Sequence, residues 1–162
     1  MQDKKVINDF YEAFKAGDAN KMVGLYSPKA TFKDPMFGDL NYEEAKFMWI
    51  MLVSTRATSQ FELNYTVEEH KGKIVVIWKA TYLFGDKKRK VINIVTSKME
   101  TEDGLITKHV DSFNFKRWAK QAIGFSGLLF GNAKWFRKKV SDGAKEKLYK
   151  FMDYMKSQQA GK

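Results

Sequence analysis

The 162-residue chain contains no cysteine. A disulfide framework, thiolate metal sites and a cysteine nucleophile are therefore excluded. Histidine is scarce too. With only His70 and His109 present, a His-rich metal site is not expected, nor is any other cofactor. Long apolar runs are also missing: the longest, residues 47–53, is far too short to cross a bilayer. The opening MQDKKVINDF lacks the apolar stretch of a secretory signal, so a soluble cytoplasmic protein is expected. What the chain does have is a core's worth of apolar material, 44% of residues, with 15% aromatic. That composition excludes intrinsic disorder, and the length fits one domain over 1–162.

Charge is unevenly distributed. Of 29 Lys and Arg and 19 Asp and Glu, residues 1–115 hold 17 and 16, whereas residues 116–162 hold 12 and 3. Nearly the whole positive field belongs to the last part of the chain. Such a segment is either the solvated face of a basic amphipathic helix or a surface drawn to nucleic acid, anionic lipid or an acidic partner. The body is close to neutral, so what it binds need not be an anion.

Hydrophobic spacing divides the chain into helices, then strands, then helices. Val6, Phe10, Ala13 and Phe14 recur at helical intervals, and Gly17 supplies a stop. Asp18 caps a second short helix expected to run through Tyr26 to Ser27-Pro28. Residues 30–34 read as a short strand with Phe32 and Asp34 on one face, followed by a loop at Gly38. Asn41 caps a third helix with Glu43 and Glu44 in its first turn, ending near residue 54. Its core face is Ala45, Met48, Trp49 and Leu52.

From residue 60 the period changes to two. Strands at 61–67, 74–84, 91–99 and 105–115 are separated by turns at 70–73, 85–88 and 102–104, which predicts an antiparallel meander. His109, Asp111 and Phe113 share one face of the last strand. A helical turn or two then follows. Residues 124–131 are apolar, but three glycines argue against a regular element; Phe125, Leu128, Leu129 and Phe130 are expected to fold over the core, the alternative being a mobile apolar gate beside the basic helix that touches membrane or admits a lipophilic ligand. Asn132 caps a long terminal helix whose stripe is Phe136, Val140, Ala144, Leu148, Phe151, Met152 and Met155. The fold class is α+β, a curved antiparallel sheet packed on N-terminal helices, with a core over about 5–123 and a basic helical extension over about 124–162.

This order, with AFKAGD near the start and ATFKDP before the third helix, resembles the nuclear-transport-factor-2-like superfamily. The SnoaL-like and ketosteroid-isomerase-like groups look nearest, and the HVDSF stretch followed by Arg117-Trp118-Ala119 fits the same pattern. The resemblance implies a cone-shaped fold with an apolar pocket open at one end, often paired into a homodimer through the sheet. It also implies specific chemistry at specific positions. The general base of ketosteroid isomerases stands in an Ala-Thr-x-x-Asp-Pro stretch, which Asp34 matches. Their oxyanion donors fall at Phe10 and at Thr96 or Val95, which supply neither the Tyr nor the acid. The Asp–Arg–Asp arrangement of the superfamily's epoxide hydrolases matches at Asp111 alone, since residues 92–96 carry no charge. SnoaL-type cyclases use an Asp and a His on the late strands, which His109 and Asp111 resemble.

Two functions from different classes follow. In one, the cone binds a small hydrophobic molecule, walled by Phe14, Met48, Leu52, Trp78, Asn93 and Phe113. Asp34 is then the base and His109, oriented by Asp111, the acid of a cofactor-independent isomerase- or cyclase-like proton transfer. In the other, the cone is filled by its own side chains, Asp34 turns the chain before Pro35, and His109 and Asp111 are hydrogen-bonded core residues, Asp111 reaching toward the Trp118 N–H. The basic helix then meets an acidic partner, a membrane surface or nucleic acid.

Overall fold

The computed structural model describes residues 2–70 and 73–161, without the side chains of Gln2 and His70. Lys71 and Gly72, within one expected turn, lie outside the described residues. Helix α1 (Gln2–Ala16) buries Val6, Ile7, Phe10, Tyr11, Ala13 and Phe14 along one side and stops at Gly17, whose φ of 78° suits glycine. Asp18 accepts the Lys21 N–H at 2.9 Å and caps α2 (Ala19–Gly24), as its position suggests.

Here the chain departs from its local pattern. Strand β1 (Tyr26–Asp34) begins at Tyr26, which the sequence places in the helix. The Leu25 carbonyl accepts the Ile106 N–H at 2.8 Å, so pairing with a distant strand draws the chain out of helical geometry. Residues 38–41, expected as loop, form β2 (Gly38–Asn41), antiparallel to β1. Helix α3 (Tyr42–Ser54) has a reciprocal capping box between Asn41 and Glu44. A single turn, α4 (Arg56–Ser59), follows.

Strands β3 (Glu62–His70), β4 (Lys73–Phe84), β5 (Arg89–Glu102) and β6 (Leu105–Phe113) make the expected meander. The β5–β6 turn is Asp103-Gly104 with both φ values positive, the residue pair that such a two-residue hairpin favours. The six-stranded order is β2-β1-β6-β5-β4-β3. One pair breaks the antiparallel rule: β1 runs parallel to β6, with Phe32 beside His109. Inward positions are Val76, Trp78 and Ala80 on β4 and Val91, Val95, Ser97 and Met99 on β5; all the apolar ones except Val91 share one core with side chains of α1 and α3.

Past the sheet, α5 (Phe115–Ala122) sets Phe115, Trp118, Ala119 and Ala122 against Val91. Residues 125–130 form a helix after all, α6 (Phe125–Phe130), and its apolar side chains face out instead of covering the core. Helix α7 (Lys134–Ala160) carries the expected stripe. Phe136 joins the α5 cluster, while Leu148 and Met152 join the main core. Its N-cap is Ala133, without a side-chain bond, and not Asn132. Thus α5 and α7, with α6 left outside, close over the cone.

Candidate functional site

Strand parity turns Phe32 and Asp34 of β1, His109 and Asp111 of β6, and Ser97 of β5 inward together. Ser97 and Asp111 are direct cross-strand partners. Around them runs a continuous hydrogen-bonded network. Trp49 Nε1 donates to the Tyr26 hydroxyl at 3.1 Å, and that hydroxyl meets His109 Nδ1 at 2.6 Å. His109 Nε2 lies 2.8 Å from Asp111 Oδ1, which also accepts the Ser97 hydroxyl. The Ser97 oxygen in turn accepts from Tyr11 OH at 2.7 Å and Trp78 Nε1 at 2.8 Å.

Every donor has an acceptor if the His109 ring is neutral and carries its proton on Nε2. Nδ1 then accepts from Tyr26, whose oxygen accepts from Trp49. Burial, with Asp111 adding to it, holds the Tyr11 and Tyr26 hydroxyls well above the ordinary tyrosine range, so both stay protonated donors. The His109 ring is fully enclosed, with Phe10, Phe32 and Trp49 ring centroids at 5.6, 5.2 and 5.9 Å. Both bonds to the Asp111 carboxylate fall on Oδ1. Oδ2 has no bond, yet no fully buried polar side-chain atom among the described residues lacks a partner, so Oδ2 keeps some open space.

Asp34 ends β1 beside this network. Its Oδ1 accepts the backbone N–H groups of Met36 at 3.0 Å and Phe37 at 2.5 Å, holding the turn at Pro35. Oδ2 is unbonded. Burial raises the Asp34 carboxyl to about 7, with the negative charge of Asp111 adding to it. The two turn N–H groups pull the other way. At neutral pH the group is divided between acid and base forms. Two carboxyls thus share one inner face, each with one oxygen bonded and the other unbonded, and Asp34 is the one poised to exchange a proton.

The six residues expected to wall a pocket differ in burial. Phe14, Met48 and Trp78 are buried in the core, and Phe113 is half-buried. Leu52, in the last turn of α3, is 40% exposed although Met48 and Trp49 on the same helix face are buried. Asn93 faces inward and is half-buried, but its amide makes no bond to the network, lying four residues along β5 from Ser97, roughly 13 Å. The Trp118 N–H goes to Tyr82 OH at 2.9 Å and not to Asp111. Tyr11, Tyr26 and Ser97 are network members not expected as site residues, Tyr26 standing in a segment whose spacing predicts helix. Ser97 alone left a signal, a polar residue at an inward position between Val95 and Met99.

Two clefts, of about 570 and 510 Å³, lie at the far end of α1 and α3 around Gly17, Val53 and Ser54. Neither is lined by Asp34, His109 or Asp111. Among the described residues no three His, Asp or Glu side chains are grouped to hold a metal ion. No described helix is long and apolar enough to cross a membrane.

A curved sheet closed on helices, with carboxyls on its inner face, is the nuclear-transport-factor-2-like cone. Residues 7–109 match the SnoaL-like domain model, and the chain belongs to that family. The structure of TerC co-crystallized with polyporic acid superposes with a TM-score of 0.60 at 14% identity, over 75% of this chain and 98% of that one. A Silicibacter sp. TM1040 protein provisionally assigned as a polyketide cyclase gives 0.58 at 19%, over 74% and 93%. A Catenulispora acidiphila protein with a ketosteroid-isomerase-like fold, in complex with trimethylamine, gives 0.58 at 9%, over 72% and 91%. Identities this low establish shared fold alone. No curated protein matches the sequence.

Proposed function

We propose that the protein binds a small hydrophobic molecule at the mouth of the cone beside Asp34 and moves a proton on it without a cofactor, as an isomerase or cyclase does. The observation that carries this reading is the pair of neighbouring inward carboxyls, Asp34 and Asp111, each with one free oxygen. Asp34 is the base. Asp111 is the second polar contact, and His109, enclosed and bonded at both ring nitrogens, works by fixing Asp111. Met36, Tyr82 and Phe113 pack against both apolar clusters and are half-buried. They are the side chains that an entering ring displaces. That two similar folds were solved with small organic molecules supports the same reading.

The test begins with native mass spectrometry of the purified protein, to identify any lipophile that is carried along. Carbonyl compounds of the class found are then incubated with it in D2O, and exchange of the acidic C–H is followed by NMR. Wild-type protein should catalyse exchange, and Asp34→Asn should lose about 100-fold or more while still binding. Unaltered exchange in Asp34→Asn, or neither ligand nor exchange in the wild type, overturns the proposal.

The close packing of aromatic rings on His109 favours a second reading. In it the network only ties α1, α3 and β1 to the sheet, and the protein acts through its basic extension. An empty, catalytically silent wild type is the outcome this reading requires.

A further inference from the structure

Residues 112–141 contain seven Lys and Arg and no Asp or Glu, so this one stretch supplies seven of the ten net positive charges. The same stretch exposes apolar side chains in quick succession. Phe125 is 73% exposed, Leu129 55% and Trp135 58%, and Ile123, Leu128 and Phe130 are also open. The Phe130 and Trp135 rings lie 5.3 Å apart, which joins α6 to the start of α7 in one patch.

The outward aim of these side chains is built into the backbone. A β-carbon on Gly127 would stand 2.1 Å from the Ala119 carbonyl oxygen, and one on Gly131 would stand 2.5 Å from the Gly127 oxygen and 2.9 Å from Lys116 Cα. Helix α6 therefore docks on α5 through bare glycine backbone. Residues two positions either side of Gly127 sit about 160° around the helix from it, which points Phe125 and Leu129 directly away from the protein. An amphipathic helix normally buries its large apolar residues. Here glycine is inside, and phenylalanine and leucine are outside.

Cations border the patch. Lys116 and Lys120 belong to the α5 surface on which α6 sits, and Lys134 adjoins Trp135. Among the described residues Arg117, Lys120, Lys134 and Lys139 are exposed and have no carboxylate partner. The shape matters as much as the charge. An outward-facing hairpin carrying exposed Phe, Leu and Trp needs no matching groove in a fluid bilayer, where Trp prefers the headgroup level and Lys and Arg meet anionic lipid.

We propose that the α5–α6 hairpin and the first turn of α7 form a docking surface for an anionic membrane. Phe125, Leu128, Leu129 and Phe130 enter the headgroup–acyl boundary, Trp135 sits at the interface, and the surrounding lysines hold phosphate headgroups. The chain is then a peripheral protein that works at a lipid surface, whether or not its cone is catalytic.

The experiment uses the full chain and vesicles of phosphatidylcholine alone or with phosphatidylserine, read by co-sedimentation. Binding should be about tenfold or more stronger to the serine-lipid vesicles, and it should weaken as salt is raised. The double variant Phe125→Ser/Leu129→Ser should lose about tenfold or more, with an unchanged thermal melt because both side chains are already in solvent. Lys120→Glu/Lys134→Glu should remove the preference for anionic lipid. No binding to anionic vesicles overturns the proposal, and so does binding that the double variant leaves intact. It also fails if light scattering shows wild type as a dimer that the double variant dissociates, since the patch then receives a second copy, or if single-stranded nucleic acid competes away all vesicle binding.

Discussion

Replacing Asp34 by asparagine exchanges one carboxyl oxygen for an amide nitrogen and keeps the oxygen that accepts the Met36 and Phe37 N–H groups. The turn should survive, and only the titration is removed. Burial and the nearby Asp111 raise the Asp34 carboxyl from 3.8 to about 7 in the folded protein. Below pH 3.8 the group is protonated in both states and costs nothing. As pH rises toward 7 the unfolded chain releases its proton while the folded one retains it, so stability falls, and above about pH 7 the loss is complete. A difference of about three pKa units corresponds to an effect on the order of 4 kcal/mol. Wild-type stability from urea unfolding should therefore decline relative to Asp34→Asn between pH 4 and pH 8, with the curves closest at pH 4. Stability curves for the two proteins that run parallel across this range would refute the burial argument for Asp34. So would a variant that loses stability equally at every pH.

Two further outcomes follow from the packing. Ser97→Ala should lower stability by on the order of 3 kcal/mol in urea unfolding, because the buried Tyr11 hydroxyl and Trp78 N–H both lose their acceptor; a loss under about 1 kcal/mol would mean that the network is not needed. The outer sheet face exposes Ile94 at 46% beside Ile77, and a homodimer paired through that face should be split by Ile94→Glu in light scattering. A wild type that is already monomeric refutes the pairing.

Local chemistry had already written much of the fold into the sequence. Asp18 and the Asn41–Glu44 pair cap their helices through bonds spanning three residues, and Asp103-Gly104 closes its hairpin with no help from elsewhere. The period-two pattern put Asp34, His109 and Asp111 on inward faces for the same reason: alternation is a property of the strand itself. The two His109 nitrogens show where such reasoning stops. One partner, Asp111, is two residues away and was legible, while the other, Tyr26, is 83 residues away and lay in a segment whose spacing read as helix. Tyr11 and Ser97 are separated by 86 residues, and neither announces the other. Strand β2 exists because β1 offers it an edge, and Tyr26 leaves the helical pattern because β6 pairs alongside. The glycines of α6 misled in the same way. They lower helix propensity locally, yet two of them are what let this helix press its backbone against α5 and turn its phenylalanines outward. The sequence by itself determined the elements, their caps and which side of each strand faces in. Partners far apart in the chain, and the side of α6 that meets solvent, were decided by tertiary packing, because those contacts exist only after distant segments have been brought together.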